Sequence, residues 1–193
     1  MNSQMRNHIL NIGALSGACF AAFDLFSYLF DETFPTSTGG QFVSLIVFAI
    51  SLAILIVGTT RYRKMIGGLA TFRTMFTVFT LSAFASVFIM SAVRTVPMVI
   101  DPDLKERMAV YQEEQLYAVP EEQRQAAVDV SNRFLPEGEK LESYDDMVEM
   151  ATTAIREQSV WSNIQAMPMY GLMYAVIGLI VAAVTKRKEE RFD

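Results

Sequence analysis

Two ionisable residues stand inside apolar stretches of the chain, where a charge is costly. Asp24 follows Gly13, Gly17 and Ala21 at spacings of four, four and three, so all four share one face of a helix. Small residues at that spacing let a neighbouring helix approach closely. Asp24 is therefore expected to face other helices rather than lipid. Arg94 sits near the end of a later apolar run, with Met90 and Ser91 one turn below it. A carboxylate and a guanidinium at one depth would relieve each other's cost in a low dielectric. Three readings compete for the pair. It is a structural salt bridge, or part of a proton path, ion path or ligand contact, or two groups wetted at the membrane interface, since arginine reaches out to headgroups.

The other reactive side chains point to less. His8 is the lone histidine and has no second metal ligand beside it. Cys19, the only cysteine, lies in an apolar run and cannot form an internal disulfide. It reads as a small packing residue. Leu15 to Cys19 faintly resembles a lipoprotein signal, but the apolar run continues to Phe30, so the segment reads as a true span. Asp145, Asp146 and Glu149 form an acidic cluster without calcium-loop spacing, and no metal is assigned there. Ser82 and Ser86 are expected to bond their own helix backbone. Nothing matches a nucleophilic triad, a phosphate-cradling glycine loop or a zinc-binding helix. No catalytic residue, cofactor or metal site is assigned, and the chain reads as a non-enzyme.

The elements that must position these residues follow from hydropathy. Of 193 residues 52% are hydrophobic and 19% charged, below the roughly 25% charge of soluble domains. Apolar runs at 9–30, 42–60, 71–100 and 164–185 each reach the roughly 20 residues that a helix needs to cross a bilayer. Only helices and closed barrels satisfy their backbone in lipid. The expected fold is thus an all-α membrane protein of four transmembrane helices. Residues 1–100 carry three, 101–160 an acidic helical insert, and 161–193 the fourth with a basic tail. Asp31 to Pro35 with Gly39-Gly40, and then Gly67-Gly68, mark the first two connections.

Charge sets the orientation. Arg6, Arg61, Arg63, Lys64, Arg73, Lys186, Arg187, Lys188 and Arg191 all fall on one side of a four-span layout. Basic residues near span ends mark the cytoplasmic side. Both termini are expected inside and the insert outside, in a bacterial inner membrane. Between Asp101 and Arg156, acidic residues outnumber basic ones by more than two to one. No basic surface for nucleic acid is apparent.

Within the insert, helical spacing links Leu104, Met108, Tyr111 and Leu116, then Ala126, Ala127, Val130 and Phe134. A third apolar face of Met147, Met150, Ala151, Ala154 and Ile155 is expected to run on into Trp161 and the fourth span. Ser143 and Asp146 make a capping pair, and Trp161 and Tyr170 are interface anchors. In the fourth span Gly171, Ala175, Gly178 and Ala182 form a close-packing stripe, for use within the bundle or between protomers.

Tyr62-Arg63-Lys64, Gly67-Gly68 leading into Thr71-Phe72, and Ile100-Asp101-Pro102 complete the layout. With these motifs the chain resembles an uncharacterised family of small four-span membrane proteins, a domain of unknown function common in Bacteroidota. The resemblance implies an envelope location and no catalytic residue. The expected function is an accessory, scaffold or interaction subunit. Its partners would be the lipid bilayer and a protein met through the acidic insert, or a second copy met through the spans. The alternative is a small proton- or ion-coupled transporter or channel using Asp24 and Arg94.

Overall fold

A computed structural model describes residues 3–186, and in them every apolar run becomes a helix. Helices α1 (Ser3–Phe30), α2 (Thr38–Met65) and α3 (Phe72–Ile100) lead into the insert helices α4 (Leu104–Tyr117), α5 (Glu121–Asn132) and α6 (Tyr144–Arg156). The last helix is α7 (Val160–Thr185). Four of them, α1, α2, α3 and α7, are long and apolar enough to cross a membrane. At 1.5 Å per residue, the 29 residues of α3 span about 44 Å, more than a hydrocarbon core of about 30 Å.

Local chemistry sets the helix ends. The Ser37 hydroxyl accepts from the Gly40 amide to start α2, and that of Thr71 accepts from Thr74 to start α3. Between α2 and α3 the chain reverses through Gly67 and Gly68, at φ +90° and +85°. Only glycine adopts that backbone without strain. Arg63 donates to the Thr185 carbonyl at 2.7 Å, where α7 leaves its last acceptors unmet.

Helix α3 is the hub. It packs against α1, α2 and α7, whereas α2 and α7 scarcely meet. Its buried face runs from Met75 through Phe79, Ser82, Ser86 and Met90 to Pro97. Gly13 and Gly17 explain how α1 comes so near. A Cβ on Gly13 would lie 2.5 Å from the Ala85 Cβ, and one on Gly17 would lie 2.9 Å from the Ser86 carbonyl oxygen. The α7 stripe is used in the same way inside the bundle. Gly171 meets the Phe84 ring, Gly178 meets Phe79 and Thr80, and Ala182 is fully buried. Ala21 and Ala175 are half-buried.

Hydroxyls cross-link the bundle interior. Ser16 Oγ lies 2.6 Å from Ser51 Oγ and 3.0 Å from Ser86 Oγ, joining α1, α2 and α3. The expectation for the serines of α3 is corrected here. Ser86 bonds across helices because close packing at Gly13 and Gly17 brings Ser16 within reach. Ser82 Oγ is buried without a partner.

The insert is a helical hairpin in which α6 packs on α4 and, more lightly, on α5. Its buried residues are Leu104, Ala109, Val128, Met147, Val148 and Thr152. Two expected faces are corrected. On α5 the inward residue is Val128, while Val130 is 50% and Phe134 85% exposed. On α6 Met150 and Ala154 are exposed and the inward side is Met147, Val148 and Thr152. The hairpin covers one side of each short helix, so apolar residues beyond that side stay exposed. Nor does α6 run on into α7. Glu157 closes α6, and a capping box of Ser159 with Ser162 restarts the chain as α7. Trp161 then points out at 65% exposure. Ser143 and Asp146 form their expected capping box.

Candidate functional site

The site lies at the end of the bundle nearest the insert. Asp24 is on the face of α1 that turns inward, and Arg94 is on α3, the helix that α1 packs against. Arg94 Nη2 lies 3.2 Å from Asp24 Oδ1, with the carboxylate side chain 12% and the guanidinium side chain 39% exposed. The contact is single and end-on rather than the two-pronged fork that strengthens arginine–carboxylate pairs. It leaves Asp24 Oδ2 buried with no hydrogen-bond partner, and the Ser27 hydroxyl, three residues on, is in the same position. An unmet buried acceptor costs about 1–3 kcal/mol. Asp24 Oδ2 lacks a donor, whereas the Ser27 hydroxyl lacks a partner in either role.

Asp24 and Ser27 belong to the lining of a cavity of about 320 Å3, while the two orphaned oxygens are themselves shielded from it. Its walls are Asp24, Ser27 and Tyr28 of α1, Ser44 of α2, and Arg94, Pro97 and Met98 of α3. Glu32 and Pro35 of the first connection close one side, and Leu104 and Met108 of α4 form the roof with Gln158. Pro97 lacks an amide, so it takes no part as donor to the helix ladder one turn back, at Val93. Arg94 also borders a second cavity of about 230 Å3 with Ser91, Gln158, Ser162, Asn163 and Tyr170. Arg94 and Gln158 thus stand between the two spaces.

The roof is held by charge. Arg107 of α4 donates Nη2 to Glu32 Oε2 at 2.6 Å and to Asp101 Oδ2 at 2.7 Å. Hydrogen bonding to Glu32 and then Asp101 pushes the Arg107 guanidinium further up, and the Arg107 bond holds the Asp101 carboxyl below its usual range. Lys105 donates to the carbonyls of Arg156 and Gln158, fixing α4 to the link before α7. Arg156 pairs with Glu106 through two bonds of 2.9 and 3.0 Å, which lowers the Glu106 carboxyl. Arg107 and Glu32 were missing from the sequence-based site. They are 75 residues apart, and neither lies in a span where its charge would attract notice.

The remaining candidates are accounted for by local bonds. Asp146 completes the capping box that Ser143 begins at the start of α6, and its carboxyl is lowered by its bonds from Ser143, while Asp145 accepts from Tyr117 at 3.0 Å. Among the described residues no group of three or more His, Cys, Asp or Glu side chains is placed to hold a metal ion. His8 Nε2 lies 2.8 Å from the Gly58 carbonyl oxygen, and Cys19 Sγ lies 3.5 Å from that of Leu15. Of the basic residues used for orientation, Arg6, Arg61, Arg63, Lys64 and Arg73 gather at the end of the bundle opposite the insert, as does Lys186. Arg187, Lys188 and Arg191 lie outside the described residues.

No curated protein and no solved structure matches the chain. Residues 11–187 match the family described as Protein of unknown function (DUF4199). That match takes in most of α1 and all of α2, α3, the insert and α7, so this four-span membrane protein belongs to the DUF4199 family.

Proposed function

We propose that the protein is a non-enzymatic interaction subunit of the bacterial inner membrane that meets a basic protein partner through its acidic insert. The observation that carries this reading is Phe134, 85% exposed in the turn after α5, with Val130 at 50% exposure one turn before it. Asp129, Glu137 and Glu139 flank them and are exposed too, as are Arg133 and Lys140, so acidic side chains outnumber basic ones three to two around the aromatic ring. Burying one such phenylalanine is worth about 1.5–3 kcal/mol. An aromatic anchor inside a charged rim is the usual make-up of a binding hot spot. The basic cluster at the opposite end of the bundle supports cytoplasmic termini and a periplasmic insert.

Solubilised gently at native expression, the protein should migrate in a complex larger than its own detergent particle. Phe134→Asp should disperse that complex without changing the melting temperature. A native protein that runs alone, or a complex indifferent to Phe134→Asp, would sink the reading.

A second reading, ion-coupled transport, is favoured by the cavity beside Asp24. In proteoliposomes Asp24→Asn should then abolish a pH-dependent flux; a native protein without flux excludes it. The interior below the pair is filled by Ser16, Ser51, Ser86, Leu55 and Phe79, which supports binding at the cavity over passage through it.

A further inference from the structure

We propose that the cavity between α3 and α7 binds a phosphate ester, presented by a phospholipid headgroup. The inference stands apart from partner docking at Phe134. Among the walls of the cavity are Ser91 and Arg94 of α3, Asn163 and Tyr170 of α7, and Gln158 of the link before α7. Its volume of about 230 Å3 is below the roughly 300–1,000 Å3 of sites that enclose whole small molecules. It suits one headgroup whose chains stay in the bilayer.

The first support is a set of unused donors. Ser91 is 4% exposed, and its hydroxyl has no hydrogen-bond partner among the described residues. Unlike the oxygens of Ser27 and Ser82, it is not sealed off from the space beside it. A buried hydroxyl on a cavity wall without a protein partner takes one from outside. Arg94 gives Asp24 a single bond, and its other N–H groups meet no acceptor among the described residues. Asn163 Nδ2 reaches only Thr95 Oγ1 at 3.4 Å and Met98 Sδ at 3.8 Å, long for a hydrogen bond. Asn163 also stands in the first turn of α7, where the helix dipole is positive.

The second support is that the wall itself selects an anion. Arg94 is its one charged residue, and no carboxylate lines it. Lys105 stands behind Gln158, bonded to that carbonyl and to the carbonyl of Arg156, with no carboxylate partner among the described residues. Asp24 answers Arg94 from the other side, and Glu157 is exposed next to Gln158. The surroundings are therefore balanced in charge, and an anion is chosen by the donors it touches. A guanidinium can serve two acids at once, as Arg107 does with Glu32 and Asp101.

The third support is depth. A centred helix the length of α3, about 44 Å, clears a hydrocarbon core of about 30 Å by about 7 Å at each end. Arg94 lies about 9 Å before the end of α3 at Ile100. That sets its half-exposed guanidinium near the edge of the hydrocarbon, within reach of the lipid phosphates. Trp161 and Tyr170, both exposed on α7, are residue types favoured at that level. Phosphate oxygens spread tetrahedrally and can meet donors from α3 and α7 together, whereas a carboxylate presents its two in one plane.

The test uses the full chain in an uncharged detergent, titrated with dioctanoyl phosphatidylglycerol and followed by the fluorescence of Trp161, the only tryptophan. Dioctanoylglycerol and its succinate ester serve as lipids without charge and with a carboxylate in place of the phosphate. The phospholipid should bind saturably, and at least roughly tenfold tighter than dioctanoylglycerol, as expected for a charge-assisted hydrogen bond. The succinate should bind more weakly than the phospholipid. Arg94→Gln should remove the preference for phosphate, and Ser91→Ala should weaken the phospholipid roughly fivefold. Ala166→Leu fills the cavity from α7 without touching the ion pair. It should abolish saturable binding at an unchanged melting temperature, while Leu172→Phe, at an exposed position of α7, binds as the native protein does.

Should Arg94→Gln fail to fold, Ala166→Leu decides with Ser91→Ala. No saturable binding, equal binding of dioctanoylglycerol or of the succinate, or native-like binding by Ala166→Leu overturns the proposal. Competition with glycerol phosphate separates the sources. Displacement of the phospholipid at similar concentration assigns the site to a soluble phosphate ester, and no displacement assigns it to the lipid headgroup; each supports recognition of the phosphate.

Discussion

Asp24 and Arg94 differ in how much water each retains, and that difference governs what their removal should do. The carboxylate side chain is 12% exposed and the guanidinium 39%. Arg94→Gln strands a nearly buried negative charge, whereas Asp24→Asn strands a cation that already reaches two cavities. Arg94→Gln should therefore lower thermal stability more than Asp24→Asn. The double variant should recover part of the loss, with a coupling of about 1–2 kcal/mol, between a surface pair and a buried one. Chemical denaturation of the four proteins in one detergent measures this. Additive losses would mean that the contact contributes nothing of its own. The candidate pair was legible in the chain because both charges interrupt apolar runs. That one carboxylate oxygen stays unmet was not, since it depends on the angle at which Arg94 arrives.

At the scale of elements, the close approach of α1 and α3 rests on glycine. The Cβ of Gly13→Ala would fall 2.5 Å from the Ala85 Cβ and 2.6 Å from the Ser82 carbonyl oxygen, and the latter is backbone that cannot step aside. The helices must separate, at a cost typical of overpacking, about 1–3 kcal/mol. Separation would also stretch the Ser16–Ser86 contact of 3.0 Å. We expect Gly13→Ala to melt at lower temperature and Gly138→Ala, with open space around it, to be neutral. Equal melting of both would refute the close contact. The spacing of small residues marked the packing faces of α1 and α7. It did not say that α3 receives both, because a stripe records closeness and not the identity of the neighbour. In the insert, apolar spacing found the helices and mistook some of their faces. Helices of 12 to 14 residues carry few apolar positions, and which of them is covered depends on where the next helix lands.

For the molecule as a whole, the insert is tied down by exposed charge, and this makes its stability depend on pH. Arg107 holds Asp101, Arg156 holds Glu106 and Ser143 holds Asp146, and each of these carboxyls is lowered. A carboxyl with a lower pKa folded than unfolded stabilises the fold fully above its unfolded value, and loses that contribution as pH falls towards the folded one. With unfolded values near 4, loosening should begin below about pH 4. Hydrogen exchange should show α4 and α6 losing protection at about pH 3 while α1 and α3 keep theirs. Arg107→Gln should bring part of that loss to neutral pH. Protection independent of pH would count against the charged tether.

The chain by itself determined the number of spans and that the acidic helices come between the third and the fourth. Each rests on local hydropathy and charge, which lipid and water sort without reference to tertiary contacts. Tertiary structure alone decided that α3 is the hub, that α4 roofs a cavity, and that one carboxylate oxygen of Asp24 stays unmet. These depend on how distant segments meet, through bonds such as that of Arg107 to Glu32, 75 residues away. No periodicity along the chain encodes such a meeting.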